Sequence, residues 1–175
     1  MTASSPHTRA QLFARLDELG LTHRTVEHQP IMTVDEGRAF KESMPGGHSK
    51  NLFLKDKKGT LFLVTAHCDT EIDLVALGRH LGAKGRVSFG KPDLMVEKLG
   101  VAPGSVTPFA MINAVPDTFA AVVVDQAFFD HDPVWFHPLK NDASTAIAAD
   151  DLIVFLKACG VEPLILPLGA IRREA

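Results

Sequence analysis

Gly104-Ser105-Val106-Thr107-Pro108 is the stretch that decides how the middle of the chain folds. It lies within residues 99–110, where two glycines and two prolines fall within nine residues, so neither a regular helix nor a central strand fits. Gly104 allows backbone angles that a side chain forbids, and Pro108 suits the first turn of a helix. We therefore predict a stiff loop that leads into a helix and leaves the N–H groups of residues 105–107 free. Free N–H groups can bind an oxyanion or a phosphate, although the simpler interpretation is a turn between two packed elements.

The composition sets limits on the kind of protein. The 175 residues fit one domain, spanning 1–175. The formal net charge of −3 gives no overall attraction to nucleic acid, so any contact with RNA must come from a local basic patch. Cys68 and Cys159 are too few for a disulfide scaffold, and no apolar run reaches the roughly 18 residues of a membrane helix. With no signal-peptide pattern, these features predict a cytoplasmic protein with reduced thiols and no membrane contact.

Helices and strands alternate before the central loop. The predicted helices begin at a capping residue or a proline, namely at Ser5-Pro6, at Thr33-Val34-Asp35-Glu36 (for a helix over 34–43), at Thr70-Glu71-Ile72-Asp73 and at Lys91-Pro92. The predicted strands cover 22–28, 50–54, 60–66 and 87–89. Asp56-Lys57-Lys58-Gly59 fits a hairpin turn, and the strand that follows it is apolar almost throughout. That strand is therefore expected in the middle of a sheet.

Helices and strands are also predicted after the central loop. After a short helix or turn past Asn113, strands are predicted at 120–125, 134–138, 144–148 and 163–168, with a helix capped by Asp150 before the last one. Mixed elements with at least one hairpin indicate an α+β fold: a single domain with a mixed, mostly antiparallel β-sheet flanked by helices, and not a Rossmann fold.

Motifs for a protein nucleophile are weak. The sequence has no Gly-x-Ser-x-Gly elbow. Cys68 follows His67, but neighbours on a strand point to opposite faces, so His67 is not expected to act as its base. Cys159 lies on the apolar stripe of a helix and is expected in the core.

Motifs for a metal or a nucleotide are weak as well. The eight histidines show no ligand spacing for zinc, and Asp130-His131-Asp132 is more simply a solvated loop than a cation site. Gly46-Gly47-His48-Ser49-Lys50 lacks the Walker spacing and leads into a strand. We therefore expect no metal and no cofactor.

Lys50 and Asn51 are stronger candidates, because they stand where an apolar strand is predicted to begin, directly after a glycine loop. A lysine there can bind a phosphate or a 2′-hydroxyl, although strand starts are often charged only to meet solvent. His137 and Asn141 have a similar status at the end of another apolar strand. The simpler interpretation of His137 is a partly buried side chain bonded to the backbone.

Three segments, in their order along the chain, resemble one known superfamily: Lys50-Asn51-Leu52-Phe53-Leu54, Gly104-Ser105-Val106-Thr107-Pro108 and His137-Pro138-Leu139-Lys140-Asn141. They are similar to the bacterial editing domains of YbaK and of the prolyl-tRNA synthetase insertion domain. Among these they most resemble the free-standing alanyl-tRNA(Pro) deacylases, called ProXp-ala or PrdX. The resemblance covers nearly the whole chain. The form Gly-x-x-x-Pro is a weak signal alone, whereas its place after Lys-Asn-Leu-Phe-Leu is fairly specific.

The resemblance implies a mixed sheet flanked by helices and hydrolysis, in trans, of a mischarged aminoacyl-tRNA. Lys50 would hold the 3′ end of the tRNA and the backbone of 104–108 the reacting ester, with His137 and Asn141 lining the pocket. The resulting candidates are, as catalytic residues, Lys50, Gly104, Ser105, Val106, Thr107 and Pro108, and, as substrate-binding residues, Asn51, His137 and Asn141. No metal, cofactor or protein nucleophile is implied. The acidic charge and the lack of a recognition-helix pattern argue against binding to DNA.

The expected substrate is alanyl-tRNA(Pro), because a synthetase pocket built for proline cannot strongly reject the smaller alanine. Loop N–H groups would polarise the ester carbonyl and water would attack it. Two alternatives stay open: a deacylase for cysteinyl-tRNA(Pro), and a non-catalytic tRNA-binding module of the same fold. Whether prolyl-tRNA synthetase or an elongation factor also binds the chain stays open too.

Overall fold

One mixed sheet of eight strands runs through the molecule, and helices pack on it. The computed structural model describes residues 5–31, 34–115 and 117–173. The strands are β1 (His23–Glu27), β2 (Gly47–Lys55), β3 (Leu61–His67), β4 (Ser88–Phe89), β5 (Phe119–Asp125), β6 (Val134–Phe136), β7 (Ala143–Ile147) and β8 (Leu164–Leu166). The helices are α1 (Arg9–Glu18), α2 (Val34–Ser43), α3 (Leu74–His80), α4 (Pro92–Leu99) and α5 (Ala149–Ala158).

The strand order is β1-β7-β6-β2-β3-β5-β8, with β4 pairing to β2 beside this path. Four pairings are antiparallel (β1 with β7, β7 with β6, β2 with β3, β2 with β4), and three are parallel (β2 with β6, β3 with β5, β5 with β8). The predicted fold class, a mixed and mostly antiparallel sheet flanked by helices, is confirmed. None of the helices in the described ranges combines the length and apolar character that a membrane crossing needs.

The hairpin between β2 and β3 forms where the sequence predicts it. The Asp56 N–H donates to the Thr60 carbonyl at 3.0 Å, and the Gly59 N–H donates to the Asp56 carbonyl at 3.1 Å. All seven residues of β3 are buried, since β2 and β5 flank the strand and helices cover both of its faces. The expectation of a central strand is therefore confirmed.

The two faces of the sheet carry different cores. On one face, which we call face A, α1, α4 and α5 pack over Phe53, Leu63 and Phe136. On the other, face B, α3 packs over Leu54 and Val64, and α2 packs near Trp135. Alternation along each strand assigns every side chain to one face, and cross-strand partners share it.

The start of β2 differs from the prediction. The sequence places a loop at 43–49 and a strand from Lys50, but the strand begins at Gly47. Its first two residues pair with Val134 and Trp135 of β6. A Cβ on Gly47 would lie 2.9 Å from the Cβ of His131, so the small residue is required by a close approach and does not signal a loop. Lys50 is consequently the fourth residue of the strand, not its first.

Two helix starts before β5 are also corrected. α1 begins at Arg9 and not at Ser5-Pro6, because Thr8 and Gln11 form a reciprocal capping box. α3 begins at Leu74, because the Asp73 carboxylate, and not Thr70, accepts the N–H of the first turn. Both sites offer two capping candidates a few residues apart, and propensity alone does not choose between them.

A third helix start is corrected in the same way. Ala148 precedes α5 without a side-chain cap, and Asp150 lies inside the first turn, where its charge suits the helix dipole. The helix predicted over 34–43 is confirmed as α2, while Thr33 of its predicted capping box lies outside the described residues.

Candidate active site

The 104–108 loop takes the form predicted for it. Gly104 has a φ of +85°, in the left-handed region that favours glycine. The buried Thr107 hydroxyl accepts the N–H of Phe109 at 3.3 Å. Thr107 thereby caps a helix over Pro108–Asn113, which is a 3-10 helix. The prediction of a stiff loop leading into a helix is confirmed.

The number of free N–H groups on this loop is smaller than predicted. The Ser105 N–H donates to the Ala102 carbonyl at 3.0 Å and closes a turn, so it is not free. Within the described part of the chain, the N–H groups of Val106 and Thr107 donate to no acceptor. These two remain as candidate donors to an oxyanion.

Phe109 anchors the loop in the core of face A. Its side chain is 0 % exposed. The ring meets Phe136 edge-on at 5.9 Å and Phe155 at 5.5 Å between centroids. Such edge-to-face contacts add to the burial of apolar area. Because Phe109 directly follows Pro108, this packing fixes the backbone that presents the two free N–H groups.

Asn141, predicted to line the pocket, lies against the 104–108 loop. Its N–H donates to the Ser105 hydroxyl at 3.1 Å. A Cβ built on Gly104 would lie 3.3 Å from the Asn141 side-chain nitrogen, which is tighter than most real contacts. The structure therefore brings Gly104, Ser105 and Asn141 together, although they lie far apart in the sequence.

Arg9 of α1 binds the connection between β6 and β7, which carries Asn141. The Arg9 guanidinium forms an ion pair with Asp142, and the hydrogen bond from Arg9 holds the pKa of that carboxyl below its usual range. Leu139 adopts a φ of +72° and donates its N–H to the His137 carbonyl at 2.9 Å. A leucine in this region is strained, and the surrounding contacts must maintain it.

Lys50 lies where β2 separates from β6. The parallel pairing covers only Gly47 and His48 of β2, and the rings of His48 and Trp135 stack at 6.1 Å. Two residues further along β2, alternation places Lys50 on the same face B as that stack. His137 lies just beyond the end of β6 and lines one pocket with His48 and Trp135. Asn51 is placed on face A with the core that contains Phe109. The predicted site residues are thus divided between the two faces at the point where the strands part.

A small pocket of about 90 Å³ opens beside this point. It is lined by Ile31, Phe40, Lys41, His48, Ser49, Trp135, Phe136, His137 and Ser144. It includes the predicted His137, but neither Lys50 nor any residue of the 104–108 loop. The sequence did not single out His48, Ser49 or Ser144. The available signal was a run of polar residues at the start of a strand that is otherwise apolar.

Burial favours the neutral form of two histidines in the pocket. His137 Nδ1 lies 2.9 Å from the Ala143 carbonyl, and His48 Nε2 lies 2.7 Å from the Met44 carbonyl. A carbonyl only accepts, so each of these nitrogens carries the proton and the other ring nitrogen keeps its lone pair. Burial lowers the pKa of both side chains. Each ring can therefore accept a hydrogen bond from a hydroxyl, an ammonium group or a water molecule.

Two polar atoms on face A lack a partner. Asn51 and Thr65 are cross-strand neighbours on β2 and β3. The Asn51 side-chain nitrogen donates to Ser49 at 3.2 Å, but Asn51 Oδ1 and Thr65 Oγ1 are buried without a hydrogen bond. Unpaired buried polar atoms are costly and need an explanation. Each is an acceptor that can take a hydrogen bond from a donor group.

The prediction that His67 and Cys68 point apart is wrong. β3 ends at His67, so Cys68 is no longer held by strand alternation. Potential ligand atoms of His67, Cys68 and Asp69 lie within 4.8 Å of one another, and the His67 ring stacks on His131 at 4.4 Å. His67 Nδ1 already accepts the Asp69 N–H at 3.1 Å, and burial raises the pKa of the Cys68 thiol. The cluster is thus poorly prepared to bind a metal, which needs a free nitrogen and a thiolate.

Comparison with known proteins identifies the family of the chain. The family model described as the aminoacyl-tRNA editing domain matches residues 28–155. The prolyl-tRNA synthetase associated domain-containing protein 1 of Mus musculus is 39% identical over 162 residues, which cover 90% of this chain and 95% of the relative. The prolyl-tRNA editing protein ProX of Acetoanaerobium sticklandii is 33% identical over 150 residues, which cover 85% of this chain and 90% of the relative.

A solved structure shares the fold. The crystal structure of a candidate trans-editing enzyme for prolyl tRNA synthetase superimposes with a TM-score of 0.67 at 20% identity, covering 93% of this chain and 98% of the other. The extent of the family match and the identity to full-length relatives lead to one conclusion. The chain belongs to the aminoacyl-tRNA editing domain family, among relatives associated with prolyl-tRNA synthetase.

Proposed function

We propose that this protein is a trans-editing deacylase that hydrolyses alanyl-tRNA(Pro). The observation that carries the proposal is the pair of unpartnered N–H groups at Val106 and Thr107, on a loop fixed by the buried Phe109. Donors that are already in position stabilise a developing oxyanion without the cost of reorganisation. A loop of this kind suits the hydrolysis of an ester.

The reaction needs no protein nucleophile. Water attacks the carbonyl carbon of the aminoacyl ester, and the carbonyl oxygen becomes an oxyanion that the two loop N–H groups bind. The bond between that carbon and the ribose oxygen then breaks. The ribose oxygen takes a proton, and the free amino acid leaves. The vicinal ribose hydroxyl and the unprotonated Nε2 of His137 are the groups that would accept hydrogen bonds from the attacking water.

The remaining candidates hold the substrate. Lys50 supplies a cation for a phosphate at the 3′ end of the tRNA, from face B. Asn51 contributes through Ser49, which lines the small pocket and accepts a hydrogen bond from the Asn51 side-chain nitrogen at 3.2 Å. Asn141 braces the loop through Ser105. The cavity of about 90 Å³ suits a side chain as small as that of alanine.

A panel of mischarged tRNAs tests the proposal. The wild-type protein is incubated with alanyl-, cysteinyl-, seryl- and prolyl-tRNA(Pro), and release of the amino acid is followed over time. We expect alanyl-tRNA(Pro) to be cleaved fastest, seryl-tRNA more slowly and prolyl-tRNA(Pro) slowest, because a packed wall rejects a larger side chain. Fastest cleavage of the cysteinyl ester would assign that substrate instead. Tight binding of tRNA(Pro) with no cleavage of any ester would show a non-catalytic binding module.

A further inference from the structure

Cations without acidic partners are concentrated at one end of the molecule. Residues 74–91 contain two arginines, two lysines and a histidine but no aspartate or glutamate. The turn between β2 and β3 adds two more lysines. We define the basic end as Lys57, Lys58, Arg79, Lys84 and Arg86. All five side chains belong to exposed residues, and none has a carboxylate within 4.0 Å among the residues that the structure describes.

Asp56 joins the two segments that form the basic end. Its carboxylate accepts the N–H of Lys58 and of Thr60, each at 2.9 Å, and the N–H of Lys84 across the gap at 2.9 Å. These bonds, that of Lys84 first, hold the pKa of Asp56 below its usual range. The Lys57 N–H also donates to the Lys84 carbonyl at 3.0 Å. Asp56 is therefore buried, and its carboxylate joins the two segments that carry these lysines.

The basic end is concave. A groove of about 380 Å³ is lined by Arg79, Arg86 and Arg173 together with small residues such as Gly78 and Gly85. A second groove, of about 800 Å³, continues from it past Arg79 to His80 and the C-terminal arginines. Those C-terminal arginines are paired, Arg172 with Glu71 at 3.4 Å and Arg173 with Asp73 at 3.0 Å. Arg79 and Arg86 are the unpaired guanidinium groups of the groove.

The basic end lies on the same face of the sheet as part of the candidate active site. α3, which carries Arg79, packs over Leu54 on face B. Alternation puts Lys50 on that face too, four residues earlier on β2. At a rise of about 3.3 Å per residue, Lys50 and the end of β2 are roughly 17 Å apart. One extended ligand lying along β2 can therefore reach both places.

We propose that the basic end binds backbone phosphates in the acceptor stem of the tRNA whose 3′ end enters the active site. The inference rests on the proposed function. Planar guanidinium groups in a groove match phosphate geometry, and a concave arginine groove fits a rounded nucleic-acid backbone better than a flat lipid surface. On a chain of net charge −3, this patch supplies the local attraction that binding to RNA requires.

The test compares Arg79→Gln/Arg86→Gln with the matched control Arg15→Gln/Lys157→Gln, which removes two cations from helices on face A. Binding of fluorescein-labelled, uncharged tRNA(Pro) is measured by anisotropy at several NaCl concentrations. Deacylation is measured on alanyl-tRNA(Pro) and on the alanyl ester of the terminal trinucleotide. For the groove variant we expect tRNA affinity to fall about tenfold and the salt slope to flatten by about 1.4 to 1.8, the value for two phosphate contacts.

The ratio of kcat/KM for whole tRNA to kcat/KM for the short ester should also fall about tenfold in the groove variant and stay at the wild-type value in the control. Wild-type tRNA affinity and salt slope in the groove variant would overturn the inference and leave the deacylase intact. Binding of tRNA through the groove without hydrolysis by the wild-type protein would support the inference and overturn the proposed function. Binding to phosphatidylserine vesicles, with no salt-dependent binding to tRNA, would assign the groove to a membrane and overturn the inference.

Discussion

The Asn141 N–H donates to the Ser105 hydroxyl across 3.1 Å, and this bond connects two loops that are separated by 35 residues of sequence. The Ser105 side chain is nearly inaccessible to solvent. Its own N–H is used in the turn to Ala102. Ser105 therefore serves as a brace between the 104–108 loop and the connection that follows His137, and its own N–H is not free to bind a ligand.

Replacement of Ser105 by alanine should weaken catalysis without unfolding the protein. Ser105→Ala leaves the Asn141 N–H unpaired, which costs about 1 kcal/mol and corresponds to about a fivefold loss in kcat/KM if the loop must hold its position. Steady-state deacylation and thermal unfolding are measured together. The exposed Ser88→Ala is the control and should match wild type. A Ser105→Ala protein with wild-type kcat/KM would show that the brace does not affect the reaction.

Replacement of Lys50 tests whether this side chain binds the 3′ end of the tRNA. Lys50→Ala should lower deacylation of alanyl-tRNA(Pro) at least about tenfold, because a charge-assisted contact to phosphate is lost. The strand should stay folded, since its pairing with β3 does not use this side chain. Circular dichroism and urea unfolding provide the check on folding, and Lys98→Ala provides the control for charge. Unchanged hydrolysis in Lys50→Ala would remove this residue from the site.

Replacement of His137 tests whether the pocket selects substrates by the size of the amino-acid side chain. It contributes a wall of the small pocket, so His137→Ala should raise cleavage of prolyl-tRNA(Pro) relative to alanyl-tRNA(Pro), even though the absolute rate falls. The informative quantity is the ratio of the two kcat/KM values. A ratio equal to that of wild type would mean that another part of the pocket excludes proline.

Stability should fall as the pH falls below about 6.5. Burial lowers the pKa of His48, His67 and His137 in the folded protein, so the unfolded chain binds these protons first on acidification. Stability rises with pH wherever the unfolded state binds more protons, and each such histidine contributes at most about 1.4 kcal/mol per pH unit. The loss should begin near the ordinary value of 6.5 and level off below the lowered pKa values.

Urea unfolding at several pH values between 8 and 5 measures this effect. His137→Gln should show a shallower dependence than wild type. The exposed His80→Gln provides the control for a histidine-to-glutamine substitution at the surface. An equal slope in His137→Gln and wild type would mean that His137 does not differ between the folded and unfolded states.

Chelators should leave deacylation unchanged, because water and the loop N–H groups suffice for the proposed reaction. Activity is compared before and after dialysis against EDTA, with a zinc hydrolase as the positive control. Activity that disappears in EDTA and returns with a divalent metal would contradict the metal-free mechanism. The cluster of His67, Cys68 and Asp69, beside His131, would then be the first place to substitute.

The sequence predicts the elements of this fold better than their junctions. Apolar alternation identifies β3 and β5, and the Gly–Pro composition identifies the 104–108 loop, because both signals are local. The start of β2 was missed because Gly47 belongs to the sheet through its pairing with Val134, which is distant in the chain. The caps of α1 and α3 were missed because neighbouring side chains compete for the same role.

The division of the site between two faces could be predicted only in part, because the predicted strand over 50–54 separates Lys50 from Asn51 but does not show which other residues share each face. Adjacent residues such as Lys50 and Asn51 point to opposite faces once β2 is known to run through both. The pairing of Asn51 with Thr65 depends on the register between strands, which the sequence does not state. The contact of Asn141 with Ser105 likewise requires the packed structure. The residue types were thus accessible from the sequence, whereas their arrangement was not.

β2 has an unusual place in the sheet. On one edge it pairs with β6 at Gly47 and His48 and with β4 at Leu54 and Lys55, and the Phe53 carbonyl accepts the N–H of Gly90 at 2.8 Å, while the described strands leave 49–52 unpaired along that edge. A strand this central normally contains the slowest-exchanging amides of a protein. We expect the β2 amides on the partly unpaired edge to exchange with deuterium as fast as those of an edge strand. The β2 amides that face β3 should stay protected. We therefore expect a local zone of low protection in the middle of the sheet, at the place where a substrate is proposed to enter.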